Sequence, residues 1–174
     1  AQAGAQNYVL HDKMDKGLTF NDDINVEKNG TVVNTSNYTL NTNITDGCTF
    51  EIVFTQKFCD TLKADDKIIV TYSAILNKDA TIAGDGNKNE TWLKYGDKSE
   101  TTHDKTITKT YEIPVFKYTG TDTPLAGANF TLKKEGSSEA VSLISIKTPA
   151  EKQGDFYRVA VTGETGNSTV ITGN

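Results

Sequence analysis

Arginine is almost missing from this chain: Arg158 is its single copy. The remaining positive charge is lysine, scattered and never gathered into a run, and the formal net charge is -5. Nucleic acid and anionic lipid are therefore poor candidates as partners. Histidine is nearly as scarce, with His11 and His103 alone, and no GxSxG or HExxH motif accompanies them. His11 lies beside Asp12, but no motif places a serine nucleophile near it, so it reads as an ordinary strand histidine. No glycine-rich phosphate loop is present. No apolar run is long enough to cross a bilayer, and no signal-peptide pattern appears.

Cysteine is limited to Cys48 and Cys59. The pair is compatible with a disulfide in an oxidising compartment and equally with two isolated thiols, because spacing does not fix the Cα separation. There is no third cysteine and no Cys/His spacing of the zinc type, so neither a metal nor a cofactor is expected.

What the chain does have is threonine, asparagine, aspartate, lysine and glycine, with short apolar alternations between turn residues. At 36% hydrophobic and 24% charged it reads as folded and soluble, and its 174 residues allow one large domain or two small ones. The pattern predicts an all-β chain. "NYVLHDKM" and "DKGLTF" are strands about a turn. "INVEK" and "TVVN" flank Asn29-Gly30, a type I′ hairpin pair. "NYTLNTNI" and "CTFEIVF" alternate again. "KIIVTYSAIL" is the strongest strand, with Ile68, Val70, Tyr72 and Ala74 on one face. The single helix candidate lies near "TLKADD".

"NKDATIAGDGNKNE" reads as a long polar loop before the strand "TWLKYGD". Polar residues then lead to "YEIPVFKYT", where apolar alternation restarts. This places a domain boundary near residue 109, giving units 1–109 and 110–174. Further strands are expected in "ANFTLKKEG", "VSLISIKT", "FYRVAVTG" and "STVITG". Two tandem Ig-like β-sandwiches of Greek-key topology follow.

Two motifs dissolve on inspection. "DGNKNE", residues 85–90, begins like a calcium loop, but Glu90 and Gly96 stand where glycine and glutamate are required. Asn29, Asn34, Asn37, Asn43, Asn89, Asn129 and Asn167 each open a glycosylation sequon. An Asn- and Thr-rich β-protein generates these by chance, and several crowd into one short stretch where glycans would collide.

"YEIPVFKYTGTDTPLAGANFTL", residues 111–132, is less ordinary. With period two, Ile113, Val115 and Lys117 share a face, so an amine follows two apolar residues toward a core. On its own, Lys117 is consistent with an edge lysine whose stem covers apolar surface while its amine reaches water.

"YVLHDKMDKGLTF", "DKIIVTYSAILNKDA", "GNKNETWLKYGD" and "PVFKYTGTDTPLAGANFTLKK" together resemble the major (backbone) pilins of Gram-positive bacteria. These are sortase-assembled fimbrial subunits whose domains carry internal Lys–Asn isopeptide bonds. The resemblance spans nearly the whole chain. Its last block, with "PLAGANFTL", is similar to the start of a collagen-binding-protein B-type (Cna-B) domain, which adhesins and tip pilins also contain. The resemblance implies that Lys117 is an opening-strand nucleophile. In the first unit it implies Asp12 as the assisting acid and Asn89 as the acceptor, with Asn87 as the alternative one register step away. Lys13 and Lys16 do not match that unit's nucleophile, which is expected upstream of residue 1. The glutamate and asparagine that would serve Lys117 are expected after residue 174. Both domains are thus expected to be incomplete here.

The implied function is a structural subunit of a covalently polymerised pilus shaft supporting adhesion and colonisation, extracellular and anchored to the bacterial cell wall. Its implied partners are other pilin subunits, a class C sortase and host surface ligands. The alternative is an ancillary pilin or adhesin that binds a host ligand. Neither reading is an enzyme, since the only chemistry implied acts once, on the protein itself.

Overall fold

The computed structural model describes Gly4, residues 6–146 and residues 154–171. The chain divides into two compact units, Ala1–Glu112 and Ile113–Asn174. Both are built almost wholly of antiparallel strands.

The first unit begins with β1 (Val9–Met14), β2 (Leu18–Phe20), β3 (Asn25–Lys28), β4 (Thr31–Val32) and β5 (Tyr38–Asn41). A 3-10 turn, Thr35–Asn37, precedes β5. β6 (Phe50–Phe54), helix α1 (Gln56–Cys59), β7 (Ile68–Thr71) and β8 (Ala74–Leu76) follow, then β9 (Asn87–Tyr95), β10 (Ser99–Glu100) and β11 (Asp104–Thr108). One sheet runs β10-β9-β1-β6-β5, with β11 also paired to β9. β4-β3-β7 forms a second sheet and β2-β8 a third.

The core joins these sheets into a sandwich. Strand β6 alternates strictly, so Phe50, Ile52 and Phe54 turn inward. Phe50, Ile52 and, from β3, Val26 are completely buried. Phe50 stacks on Phe20 of β2 at 4.4 Å and meets the edge of Tyr72, just after β7, at 5.0 Å. Full burial of such side chains stabilises by about 1.5–3 kcal/mol each. α1 is one capped turn: Thr55 Oγ1 accepts from Phe58 N at 3.2 Å, and the turn buries Phe58 and Cys59 beneath it.

Local chemistry agrees with the sequence at the first hairpin. Asn29 (φ 52°) and Gly30 (φ 80°) both take the left-handed conformation that a type I′ turn requires. The Asn29 carboxamide then bonds Asp66 Oδ1 and Lys67 N, each at 2.8 Å.

Two expectations change. "KIIVTYSAIL" is not one strand. It breaks after Thr71, where Ser73 N and Oγ bond the Asp23 carboxylate at 2.7 and 2.5 Å, and β7 and β8 join different sheets. Residues 87–90 are strand rather than loop, because β1 and β11 pair with them on both sides. The helical turn, Gln56–Cys59, lies near "TLKADD" as expected.

The second unit consists of short pairs. β12 (Tyr118–Thr119) pairs β13 (Thr123–Pro124), and β14 (Asn129–Phe130) pairs β17 (Val170–Ile171). β15 (Leu143–Ile146) pairs β16 (Phe156–Val159). Arg158 grips Glu164 with both guanidinium arms, and Glu164 Oε2 also accepts from Val161 N at 3.0 Å, closing the turn after β16. Residues 113–117 pair with no strand among the described residues.

Candidate functional site

Asp12 is central to β1, completely buried, on the sheet face that looks into the sandwich. Its cross-strand partner is Thr91, and Met14 lies opposite Asn89. Asp12, Thr91 and Asn89 therefore share one face, with Asn89 diagonal to Asp12. Tyr72, from the opposing layer, donates its hydroxyl to Asp12 Oδ2 at 2.5 Å. Asn89 Nδ2 donates to the same oxygen at 2.9 Å and to Tyr72 Oη at 2.8 Å. Three side chains from β1, β9 and the end of β7 thus close a triangle.

Burial sets the electrostatics. Desolvation pushes the Asp12 carboxyl above its ordinary range, and the hydrogen bonds from Tyr72 and Asn89 oppose it only in part. The Tyr72 phenol is raised as well, first by burial and then by its bond to Asp12. Asp12 Oδ1 and Asn89 Oδ1 are buried with no hydrogen-bond partner among the described residues. One acid and one carboxamide therefore each keep an unused oxygen in a dry setting, a costly arrangement for purely structural groups. A cleft of about 460 Å³ opens beside them, lined by Met14, Leu18, Tyr72, Leu76, Asn89 and Thr106 among others.

The alternative acceptor sits elsewhere. Asn87 is almost fully buried too, but its carboxamide is fully used. Its Oδ1 accepts from Thr81 N at 2.8 Å, and its Nδ2 donates to the carbonyls of Thr81 and Thr108 at 3.1 and 3.3 Å. It clamps the loop before β9 to β11. Asp12 meets Asn89, not Asn87.

Lys117 is placed differently from the core-facing expectation. It is exposed, and so are Ile113 at 71%, Val115 at 60% and Phe116 at 72%. A strand buries one face only when neighbours pair with it and a second layer covers it, and neither happens to this segment among the described residues. Cys48 and Cys59 are both free thiols. Cys59 is buried at the end of α1, where burial raises its pKa, while the Cys48 thiol is pushed up to about 12, chiefly by burial and then by Asp46.

His11 and Asp12 are neighbours in sequence but point to opposite sheet faces. On the outer face His11 is buried between its two cross-strand partners, Glu51 of β6 and Trp92 of β9. Its Nδ1 lies 2.8 Å from Glu51 Oε1, 3.7 Å from Asp46 Oδ2 and 3.7 Å from Cys48 Sγ. The sequence spacing gives no sign of this grouping. The members are some forty positions apart in sequence at most, and only the β1–β6 pairing assembles them.

Solved structures give the fold an independent reference. The T6 backbone pilin of serotype M6 Streptococcus pyogenes aligns with 99% of this chain and 44% of its own, at 18% identity and a TM-score of 0.57. The pilus backbone RrgB of Streptococcus pneumoniae aligns with 55% of this chain and 22% of its own, at 24% identity and a TM-score of 0.45. The chain thus spans less than half the length of either. No protein-family model matches the chain, and no curated protein matches its sequence. The likeness to the T6 pilin shows the fold: an all-β chain folded like that backbone pilin.

Proposed function

We propose that this chain is part of a structural subunit of a cell-surface pilus shaft, and that Asp12 and Asn89 are the acid and acceptor of an intramolecular isopeptide bond. The nucleophile is a lysine supplied from outside residues 1–174. Its neutral amine attacks Asn89 Cγ. A new C–N bond forms, the C–NH₂ bond breaks, and ammonia leaves with the proton surrendered by the amine. With the Asn89 carboxamide turned over so that its oxygen faces Asp12, a desolvated Asp12 that stays protonated polarises that carbonyl and passes the proton between the two nitrogens. The cleft beside Asn89 is the route by which the lysine reaches it.

The observation that supports this reading is a completely buried carboxyl that accepts, at 2.9 Å, from the nitrogen of a carboxamide whose oxygen has no partner among the described residues. Lys117 is read as the nucleophile of a second such bond. The exposed Ile113, Val115 and Phe116 beside it form the apolar surface that a completing strand would cover. A covalent tie between strands limits extension under load and shrinks the unfolded ensemble as a disulfide does, yet cannot be reduced. That suits a shaft under tension. Polymerisation by a class C sortase and attachment to the cell wall complete the proposal.

The test is an immunoblot of cell-wall extracts boiled in detergent, using antibody to this chain. A ladder of high-mass polymers that disappears when the sortase is deleted supports the shaft reading. A single monomer band in both strains removes it.

A further inference from the structure

We infer that the outer face of the six-stranded sheet carries a zinc site formed by His11 Nδ1, Asp46 Oδ2, Cys48 Sγ and Glu51 Oε1. This site faces away from the Asp12–Asn89 pair and does not depend on the function proposed for it.

The four donor atoms lie within 4.8 Å of one another. Tetrahedral zinc, at its usual bond lengths to nitrogen, sulfur and oxygen, holds its ligand atoms about 3.3–3.7 Å apart. The His11–Cys48 and His11–Asp46 separations of 3.7 Å already match. The 2.8 Å separation between His11 and Glu51 is a hydrogen bond, and it opens by about half an ångström as metal replaces the shared proton. One imidazole, one thiolate and two carboxylates form a borderline donor set that zinc accepts and that calcium or magnesium, which prefer oxygen throughout, do not.

The surroundings hold these donors in place. Gly47, at φ 86°, turns the chain so that Cys48 N donates to Asp46 Oδ1 at 2.9 Å, leaving Asp46 Oδ2 toward His11. Glu51 is fixed opposite His11 by the β1–β6 register. The Trp92 indole stacks on the imidazole at 5.1 Å, with 4° between the planes, and fixes its orientation. Asp46 has 42% of its side chain exposed and supplies the entry path, while His11 and Glu51 are shielded behind it. Three anionic ligands and one zinc leave a single negative charge, which Lys94, an electrostatic neighbour of both His11 and Cys48, offsets. Binding releases the Cys48 thiol proton to solvent, and the His11 proton resides on Nε2.

The experiment uses the whole chain, reduced and metal-free, titrated with cobalt(II) and then with zinc. Trp92 is the single tryptophan and stacks on both His11, at 5.1 Å, and His103, at 4.4 Å, so the thiolate band rather than the quench identifies the site. One equivalent of cobalt is expected to give a thiolate-to-metal charge-transfer band and to quench Trp92. Zinc is expected to displace it. Cys48→Ser should lose the band and weaken zinc by at least about tenfold. Asp46→Asn, on the exposed loop, should also weaken zinc by about tenfold while circular dichroism stays unchanged. A missing band in excess cobalt overturns the site. So does a band that survives Cys48→Ser, or zinc affinity that Asp46→Asn leaves intact.

Discussion

Replacing Tyr72 by phenylalanine removes one oxygen from the buried triangle and nothing else. The ring keeps its edge contacts with Phe50 at 5.0 Å and Phe20 at 6.1 Å, so no cavity opens. Two hydrogen bonds go: the phenol's donation to Asp12 and the one it accepts from Asn89. A bond to an ionised carboxylate is worth about 1.5–3 kcal/mol and a neutral one about 0.5–1.5. Asn89 Nδ2 retains Asp12, so its loss is partial. The expected cost is about 1 kcal/mol while Asp12 is protonated and about 2–3 kcal/mol once rising pH ionises it. The sign follows from linkage. Asp12 is raised in the folded state, so the protein loses stability as pH climbs from the ordinary carboxylate value toward the folded one. Removing a donor raises the folded value further, and the loss extends to higher pH. Urea unfolding followed by Trp92 emission, on strand β9 beside the triangle, measures both limits. A cost that stays the same on both sides of Asp12 ionisation, or no cost at all, would refute the assignment of Tyr72 as the carboxylate's donor.

The two asparagines should separate cleanly. Asn87→Ala strands Thr81 N and two carbonyls and should cost about 2–3 kcal/mol, whereas Asn89→Ala should cost about 1–2 in urea melts of the isolated chain. Phe50→Ala should cost about 3–5 kcal/mol in the same assay, since the side chain is fully buried between Phe20 and Tyr72. Asp66 is held low first by its bond to Lys28, then by Lys63 N and Asn29, so its stabilisation is present above the ordinary carboxylate range and lost as pH falls. Asp66→Asn should therefore cost stability near neutrality and progressively less as pH falls, which flattens the acid limb of the stability–pH curve.

How much of this was legible in the sequence varies by residue. Strict alternation in "FEIVF" gave the inward face of β6, and Asn29-Gly30 gave the hairpin, because both signals are local. The stretch "NKNE" was taken as loop because its inward residues are Asn87 and Asn89. Their burial is paid for by β1, Tyr72 and Thr81, none of them adjacent in the chain. Asp12 and Asn89 were paired through resemblance, and no local pattern brings them together across 77 positions. His11 looked ordinary for the same reason. Its cluster depends on a strand register that places Glu51 opposite it and on a turn at Gly47 that swings Cys48 beneath the ring. In the second unit each of the four expected segments holds a strand, β14 to β17, shorter than the alternation suggests, and Lys117 lies outside them. Alternation states which face a strand could bury, and only a paired neighbour makes it do so.

The most direct test of the central claim is the accurate mass of a longer pilin that carries these residues, reduced and then mapped by peptide. The account predicts the loss of one ammonia, about 17 Da, at a cross-link between Asn89 and a lysine outside residues 1–174, and its disappearance in Asp12→Ala. An unmodified Asn89 in the folded pilin, or a cross-link that forms equally well without Asp12, would contradict it.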